Sequence, residues 1–341
     1  MSHTTSAMLS RAQSSIVVAG ATGRLGYVIT ETLLTTFKPF FHRVVALTRD
    51  ASLSRAQTLA ALGAEVTQIR LDEEHSDNIN DNLRNALKGT DIVVNVLGVT
   101  SARVKDVVAE AAIEAGVKVY FPSEFGVDHR LNDFPGFDHP EWIKKRKHLD
   151  YVNEIAAKKG DVKIISVYNG LFLEDSFNVT ESRYGVDLSS RTITALGSPS
   201  SRATFTSKVD IARSVAQLAI LAMLSPATLS DNVPSHVHIS GCTRSAEEIA
   251  HALSVVLSRT NESDERETKV EMKTEDIEQT REKLKSDSEA GNVGSPPGYI
   301  RVLMGEGKLD FSAENVNELV NPSGRLWKWK SVEEALNDLI T

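Results

Sequence analysis

A doubly wound α/β fold on a parallel sheet, followed by a smaller mixed α/β region, is what this chain predicts, and three observations carry the prediction. Short β-branched runs alternate with longer amphipathic stretches through the first half. The short runs are continuously apolar rather than alternating, as strands covered on both faces must be. The first run, Val17-Val18-Ala19, leads into Gly20, Gly23 and Gly26 at spacing G-x-x-G-x-x-G, after which Val28, Ile29, Leu33 and Leu34 start a helical pattern. A strand, a glycine turn and a helix in that order suit a dinucleotide. Gly20 turns the chain, Gly23 lets the backbone approach a pyrophosphate, and Gly26 lets the helix pack on its strand. The helix N-terminus then offers unpaired N–H groups to the phosphates.

The elements follow in order. Strands are expected at 16–19, 43–48, 65–69, 92–97, 117–121 and 162–168, each a short run with β-branched residues. Between them fall the helix after the glycine turn, an Ala/Leu-rich helix at 52–62, one near 78–87, and one with Val104, Val107, Val108, Ala111 and Ala112 on one face. A long helix spans 140–159. Beyond residue 168 the alternation fades: 192–196 and 236–240 read as strands, and 209–223 and 246–257 as helices. Ser245-x-x-Glu248 and Ser331-x-x-Glu334 are capping boxes that start helices. Residues 260–292 are dense in both charge signs, with Val270 and Met272 almost alone as apolar residues, which predicts a solvated helix or mobile insertion. Gly294, Pro296, Pro297 and Gly298 mark a loop before 299–304. Trp327 and Trp329 alternate with Lys328 and Lys330 like a short core-anchoring strand ahead of the last helix. The expected organisation is a disordered N-terminus at 1–13, a dinucleotide-binding domain at 14–170, and a substrate-binding region at 171–341 that carries the charged insertion.

Composition narrows the functional classes. The 341 residues suffice for one large domain or up to two ordinary ones with a buried core. Lys plus Arg number 38 against 46 Asp plus Glu, and the net charge of −8 repels nucleic acid and anionic membrane, so neither is an expected partner. The single cysteine, Cys242, has no metal-ligand spacing around it and reads as a small core residue of a reducing compartment. No run approaches the roughly 18 apolar residues of a membrane helix, and the N-terminus has no signal-peptide core. The expectation is a cytoplasmic protein, monomer or homodimer, acting on a small molecule.

The end of the second strand, Thr48-Arg49-Asp50, sets the expected cofactor. An acid there bonds the ribose hydroxyls of NAD, whereas an arginine pairs with the 2′-phosphate of NADP. Asp50 falls where the helix at 52–62 begins and is assigned its N-cap, which leaves the phosphate to Arg49. Arg55, one turn into that helix, is either a second phosphate ligand or a solvated charge. NADPH is the expected cofactor.

A tyrosine mechanism of the short-chain dehydrogenase kind needs Tyr-x-x-x-Lys, in which the lysine lowers the pKa of the phenol. None of the six tyrosines has a lysine four residues on; Tyr151 is followed by Ile155 and Tyr168 by Phe172. The long helix offers a substitute. On a wheel of about 100° per residue its apolar stripe runs Trp142, Leu149, Val152 and Ala156, and Lys145 falls at the centre while Lys144, Arg146 and Lys147 point elsewhere. A packed stem with a snorkelling ammonium is the plain alternative. The helix follows the fifth strand of a dinucleotide fold, which puts its first turns beside the nicotinamide and favours a proton-handling amine.

These residues also carry a family resemblance. GATGRLG at 20–26, Arg49 ending strand two, Pro122-Ser123-Glu124-Phe125-Gly126, Lys145 three residues after an aromatic, and Tyr168-Asn169-Gly170-Leu171-Phe172 resemble the NmrA-like, isoflavone-reductase-like branch of the atypical short-chain dehydrogenases. The resemblance covers 15–177 and continues more loosely through 311–329, in the manner of fungal members. It implies cofactor contacts from Gly20, Thr22, Gly23, Arg24, Leu25, Gly26, Arg49, Arg55, Leu97, Gly98, Ser123, Phe125, Lys145, Asn169 and Phe172, and carries the catalytic role of a helix lysine in plant phenylpropanoid reductases to Lys145. The helix after Lys145 is about one turn longer than the plant pattern before Gly160, so alignment leaves Lys147 in play; the helical phase selects Lys145.

Other candidates are weaker. His236 and His238 alternate on a strand without a carboxylate or cysteine at ligand spacing, so no metal is expected. His129, Asp138 and His139 read as a polar surface loop. Two functions remain. One is an NADPH-dependent reductase of a small aromatic or conjugated secondary metabolite, with Lys145 as acid/base; the other is a non-catalytic dinucleotide sensor of the NmrA type. Lys145 favours the enzyme, because sensors of the family lack a dedicated acid/base on that helix.

Overall fold

Ser14–Ala19 (β1) is buried along its whole length, because a strand with neighbours on either side and helices over both faces meets no solvent. Phe41–Thr48 (β2), Glu65–Gln68 (β3), Ile92–Asn95 (β4), Val119–Phe121 (β5) and Lys163–Ile164 (β6) join it in a six-stranded sheet of order β3-β2-β1-β4-β5-β6, every pair parallel. Val17 lies opposite Val45 on one side and Val93 on the other. The helices of this half are Arg24–Leu34 (α1), Ser54–Ala61 (α2), Asp81–Leu87 (α3), Ala102–Glu114 (α4) and Pro140–Lys159 (α5). The strand order reverses at β1, so the carboxyl ends of β1 and β4 flank the switch point at which open α/β sheets bind ligands. Val107, Val108, Ala111 and Ala112 of α4 share one core with Leu149, Val152 and Ala156 of α5.

The computed structural model describes residues 13–70, 81–98, 100–177, 183–224, 233–260 and 269–340. Residues 1–12, the first turn of the helix expected near 78–87, and 261–268 of the charged stretch lie outside these. The chain divides into two compact units, one of Met1–Phe125, Lys144–Val167 and Ile211–Val237, the other of Gly126–Ile143, Tyr168–Asp210 and His238–Thr341. No helix among the described residues is long and apolar enough to cross a membrane.

The later elements are Ser166–Tyr168 (β7), Leu171–Phe172 (β8), Val186–Asp187 (β9), Thr192–Leu196 (β10), Arg202–Thr206 (β11), Lys208–Leu224 (α6), His236–His238 (β12), Cys242–Ser245 (β13), Ala246–Thr260 (α7), Glu271–Glu275 (β14), Ile277–Glu289 (α8), Pro297–Gly305 (α9) and Val332–Ile340 (α10). In the second unit β13-β11-β8 and β14-β10-β9 form two mixed three-stranded sheets. Both capping boxes close reciprocally: Ser245 and Glu248 exchange bonds of 2.7 and 3.2 Å at α7, and Ser331 and Glu334 bonds of 2.9 and 3.1 Å at α10.

Several expectations need correction. The strand expected at 162–168 breaks at Ile165, whose N–H still bonds Tyr120 O, while Ser166 N–H turns to Ser235 O. The charged stretch holds a strand, β14, that pairs with β10 through its backbone while all five of its side chains stay exposed. Trp327 and Trp329 form no strand: the Asn321 side chain accepts from Leu326 N–H and donates to Trp327 O, which occupies the groups a ladder would use. Trp327 is nonetheless buried, edge-on to Trp329 at 5.3 Å. The expected surface loop is only partly one: His129 and His139 are buried, at 1% and 5% exposure, and Asp138 is half-buried, whereas Arg130, Leu131 and Asp133 are exposed.

Candidate functional site

Gly20 leaves β1 at φ +87°, a left-handed conformation that an L side chain adopts only with strain. Gly23 is the N-cap of α1 and has no side chain to cap it, and the first turn carries no acid. The positive end of α1 thus carries neither a capping side chain nor an acid, as suits an anion. A Cβ at Gly26 would stand 2.1 Å from Gly20 O, so the helix is seated directly on the turn. Around this turn lies a cavity of about 280 Å³, bounded by Gly20, Thr22, Gly23, Thr48, Arg49, Leu53, Leu97 and Gly98.

Arg49 is exposed at this cavity. Its neighbour Asp50 is turned away: Oδ1 accepts from Ser52 N–H at 2.8 Å and Ser52 Oγ at 2.6 Å, and these bonds hold the carboxyl below its usual range. Asp50 thus caps a turn rather than α2, which starts two residues later than expected, with Leu53 at the N-cap position. Arg55 lies outside the lining, donating to Thr22 O at 3.3 Å with its guanidinium 5.5 Å from the Tyr27 ring. Arg24 and Leu25 sit in the first turn of α1 and are not part of the lining either. Thr48, whose hydroxyl meets that of Thr22 at 2.9 Å, and Leu53 are lining residues that sequence reasoning missed. Their position at the mouth of the second strand was the available signal.

From this cavity a short chain of bonds leads to Lys145. Leu97 N–H donates to Asn95 Oδ1 at 3.1 Å, and Leu97 O accepts from Ser123 Oγ at 2.7 Å. Next to Ser123 stands Glu124, at 1% exposure, whose backbone O accepts from Lys145 Nζ at 2.5 Å and whose Oε2 lies 3.9 Å from the same nitrogen. Phe125 is buried beside them in sequence. The helical phase holds in part: Leu149, Val152 and Ala156 are buried, Lys145 is half-buried, and Lys144 and Lys147 are exposed, but Arg146, expected to point away, is half-buried as well. Glu124 stood inside the quoted Pro-Ser-Glu-Phe-Gly run, yet nothing local ties it to a helix residue 21 positions on.

The tyrosine of this helix is committed to a structural bond. Tyr151 donates to Glu110 Oε1 at 2.6 Å, and that bond, with some burial, pushes its phenol up to about 12. Arg103 bonds the same carboxylate, and His148 is paired to Asp106 at 2.6 Å, so α4 and α5 are joined by a polar seam.

In the second unit, Asn169 is fully buried, with its N–H on Gly126 O and its carbonyl accepting from Thr206 Oγ1 at 2.8 Å. Among the described residues its Oδ1 has no hydrogen-bond partner. Phe172 is half-buried, with Lys208 Nζ 5.8 Å from its ring centre. Both ring nitrogens of His238 are engaged within the chain: Nε2 meets Asp128 Oδ2 at 2.9 Å, Nδ1 meets Glu314 O at 3.1 Å, and the ring stacks on Phe311 at 4.2 Å. Burial alone would push the Asp128 carboxyl up, but the Arg130 fork and His238 outweigh it and hold it well below the carboxylate range. Burial also pushes the Cys242 thiol up to about 11, which disfavours the thiolate. The described residues hold no cluster of three or more possible metal ligands.

A model of the NmrA-like family matches residues 12–293. The oxidoreductase aprR of Aspergillus flavus is 26% identical over 201 residues, which is 59% of this chain and 62% of that protein. Phenylcoumaran benzylic ether reductase PT1 of Pinus taeda is 32% identical over 120 residues, 34% of this chain and 37% of its own length. The chain thus matches less than two thirds of these relatives. The solved structure of AtPrR2 with NADP+ and (+)pinoresinol superposes over 96% of this chain and 99% of its own, with a TM-score of 0.69 at 18% identity, a likeness of fold.

Proposed function

Because the chain belongs to the NmrA-like family, we propose that it is an NADPH-dependent oxidoreductase that reduces a small aromatic or conjugated metabolite. The observation that carries the reading is the cavity in which the glycine turn, the open end of α1 and Arg49 come together, two side-chain bonds from Lys145. The residues fit the cofactor. The uncapped amides of α1 suit a pyrophosphate, Gly23 leaves room for its approach, and Arg49 with the Thr22 and Thr48 hydroxyls suits a 2′-phosphate. NADPH, when bound, supplies the hydride. Lys145 Nζ handles the accompanying proton, held toward the end of β5 by its bond to Glu124 O. The substrate class follows the phenylcoumaran and pinoresinol that appear in the names of relatives, and residues 171–341 are proposed to supply the substrate-binding region.

The test is a screen of NADPH oxidation against quinones, enones, flavonoids and lignan-type compounds, beside calorimetry with NADPH. Cofactor-dependent turnover of one of these classes is expected. Tight NADPH binding without turnover across the panel would overturn the enzyme in favour of a dinucleotide sensor, and no NADPH binding would overturn both.

A further inference from the structure

Glu124 is the feature of the first unit that the reading above leaves without a task. A carboxylate at 1% exposure is costly unless a cation or strong donors compensate it. The cation beside it is the amine of Lys145, fixed to the Glu124 main chain at 2.5 Å and 3.9 Å from the Glu124 side chain. One residue thus both locates the amine and sets its field. We propose that Glu124 is a positioning residue whose buried carboxylate keeps Lys145 as an ammonium ion and so makes it a proton donor rather than an acceptor. The inference rests on the reductase reading, since the proton is the one that follows the hydride.

The step balances. Hydride from NADPH adds to a substrate carbon and leaves an electron pair on the adjoining electronegative atom; an N–H bond of Lys145 breaks, its proton goes to that atom, and the neutral amine regains a proton from water. Burial disfavours the charged form of an amine and a nearby anion favours it. Other charged groups lie on α5 and on the neighbouring elements. On α5, Glu141 stands one turn earlier, with Lys144 and Arg146 adjacent. On α4, Asp106 is bonded to His148, and Glu110 to Arg103 and Tyr151. From β5, the Tyr120 hydroxyl is bonded to Asn95.

The experiment follows acylation of Lys145 by an amine-reactive reagent, read by peptide mass spectrometry on the full chain from roughly pH 6 to 11, on either side of the ordinary lysine pKa. In Glu124→Gln the pH of half-maximal labelling at Lys145 should fall by about one unit or more, as loss of an opposite charge within 4–6 Å entails. Labelling of Lys147 in the same digests should not move. Glu124→Asp, which keeps the charge, should restore most of the shift, and Glu124→Met, which removes the charge at similar volume, is read with the same fall expected if Glu124→Gln does not fold. An unmoved midpoint overturns the proposal even if Lys145→Met abolishes turnover, in which case the reductase reading stands without it. A shifted midpoint with full turnover in Lys145→Met overturns the donor role together with the lysine's part in the reaction.

Discussion

The glycine turn permits a prediction that separates folding from binding. A Cβ added at Gly26 would lie 2.1 Å from Gly20 O and 2.9 Å from Gly20 C, well inside the 3.4 Å at which ordinary contact begins. Both obstacles are backbone, so the turn itself must shift by more than an ångström. Overpacking of this kind costs roughly 1–3 kcal/mol, and with rigid obstacles the upper end applies; the helix-propensity gain of alanine over glycine returns about 1 kcal/mol. Gly26→Ala should therefore lose about 2 kcal/mol and melt several degrees lower, at roughly 2–4 °C per kcal/mol for a unit of this size. Gly23 differs. Its Cβ would meet Gly20 O at 3.1 Å, a misfit of a few tenths of an ångström, and its φ of −71° with ψ of 176° is open to any residue. Gly23→Ala should fold and melt near the parent, yet bind NADPH at least roughly tenfold more weakly, since the methyl enters the cavity where a pyrophosphate approaches. Thermal scans and NADPH calorimetry on the same preparations decide the matter. A Gly26→Ala protein that melts with the parent refutes the packing argument; a Gly23→Ala protein with parental NADPH affinity refutes the placement of the cofactor.

Three other predictions follow. NADPH should bind at least roughly tenfold tighter than NADH, as a charge-assisted contact of about 1.5–3 kcal/mol gives, and Arg49→Ala should narrow the gap; equal affinities in the parent, by calorimetry, would remove Arg49 from the phosphate. Lys145→Met should keep the fold and lower kcat by roughly 10² to 10⁴, while Lys147→Met, whose side chain is exposed, should stay near the parent; the reverse pattern sinks the assignment. Asp128→Asn should cost roughly 1–3 kcal/mol in denaturant unfolding, because it sets a neutral amide against Arg130, which is partly exposed, and His238. The Asp128 carboxyl is held lower in the folded protein than in the unfolded chain, so its stabilisation is complete above about pH 4 and is lost as the pH falls further. The stability gap between parent and Asp128→Asn should accordingly close toward low pH, and a gap that widens there would contradict this sign.

What could be read from the sequence, and what could not, depends on where each residue's partner lies along the chain. β1 declares itself because every residue of Ser14–Ala19 is buried, and a parallel strand buried on both faces writes its burial into consecutive letters. The two capping boxes are as plain, since donor and acceptor stand three residues apart. Lys145 was legible through helical phase, because Leu149, Val152 and Ala156 mark the buried side of its own helix. β14 was not: its pairing with β10 runs through the backbone, its side chains are all exposed, and Glu-Met-Lys-Thr-Glu looks like any solvated segment. The loop at 126–139 misled for a related reason. Asp128 and Arg130, two residues apart, read as an exposed local pair, and the second partner that helps compensate burial of the carboxylate, His238, lies 110 residues away. Glu124 belongs with this second group, since its meaning depends on a helix that returns to it. Charged groups whose partners are remote in sequence are thus where a single chain misleads most readily, and in this protein the proposed proton donor is held by one of them.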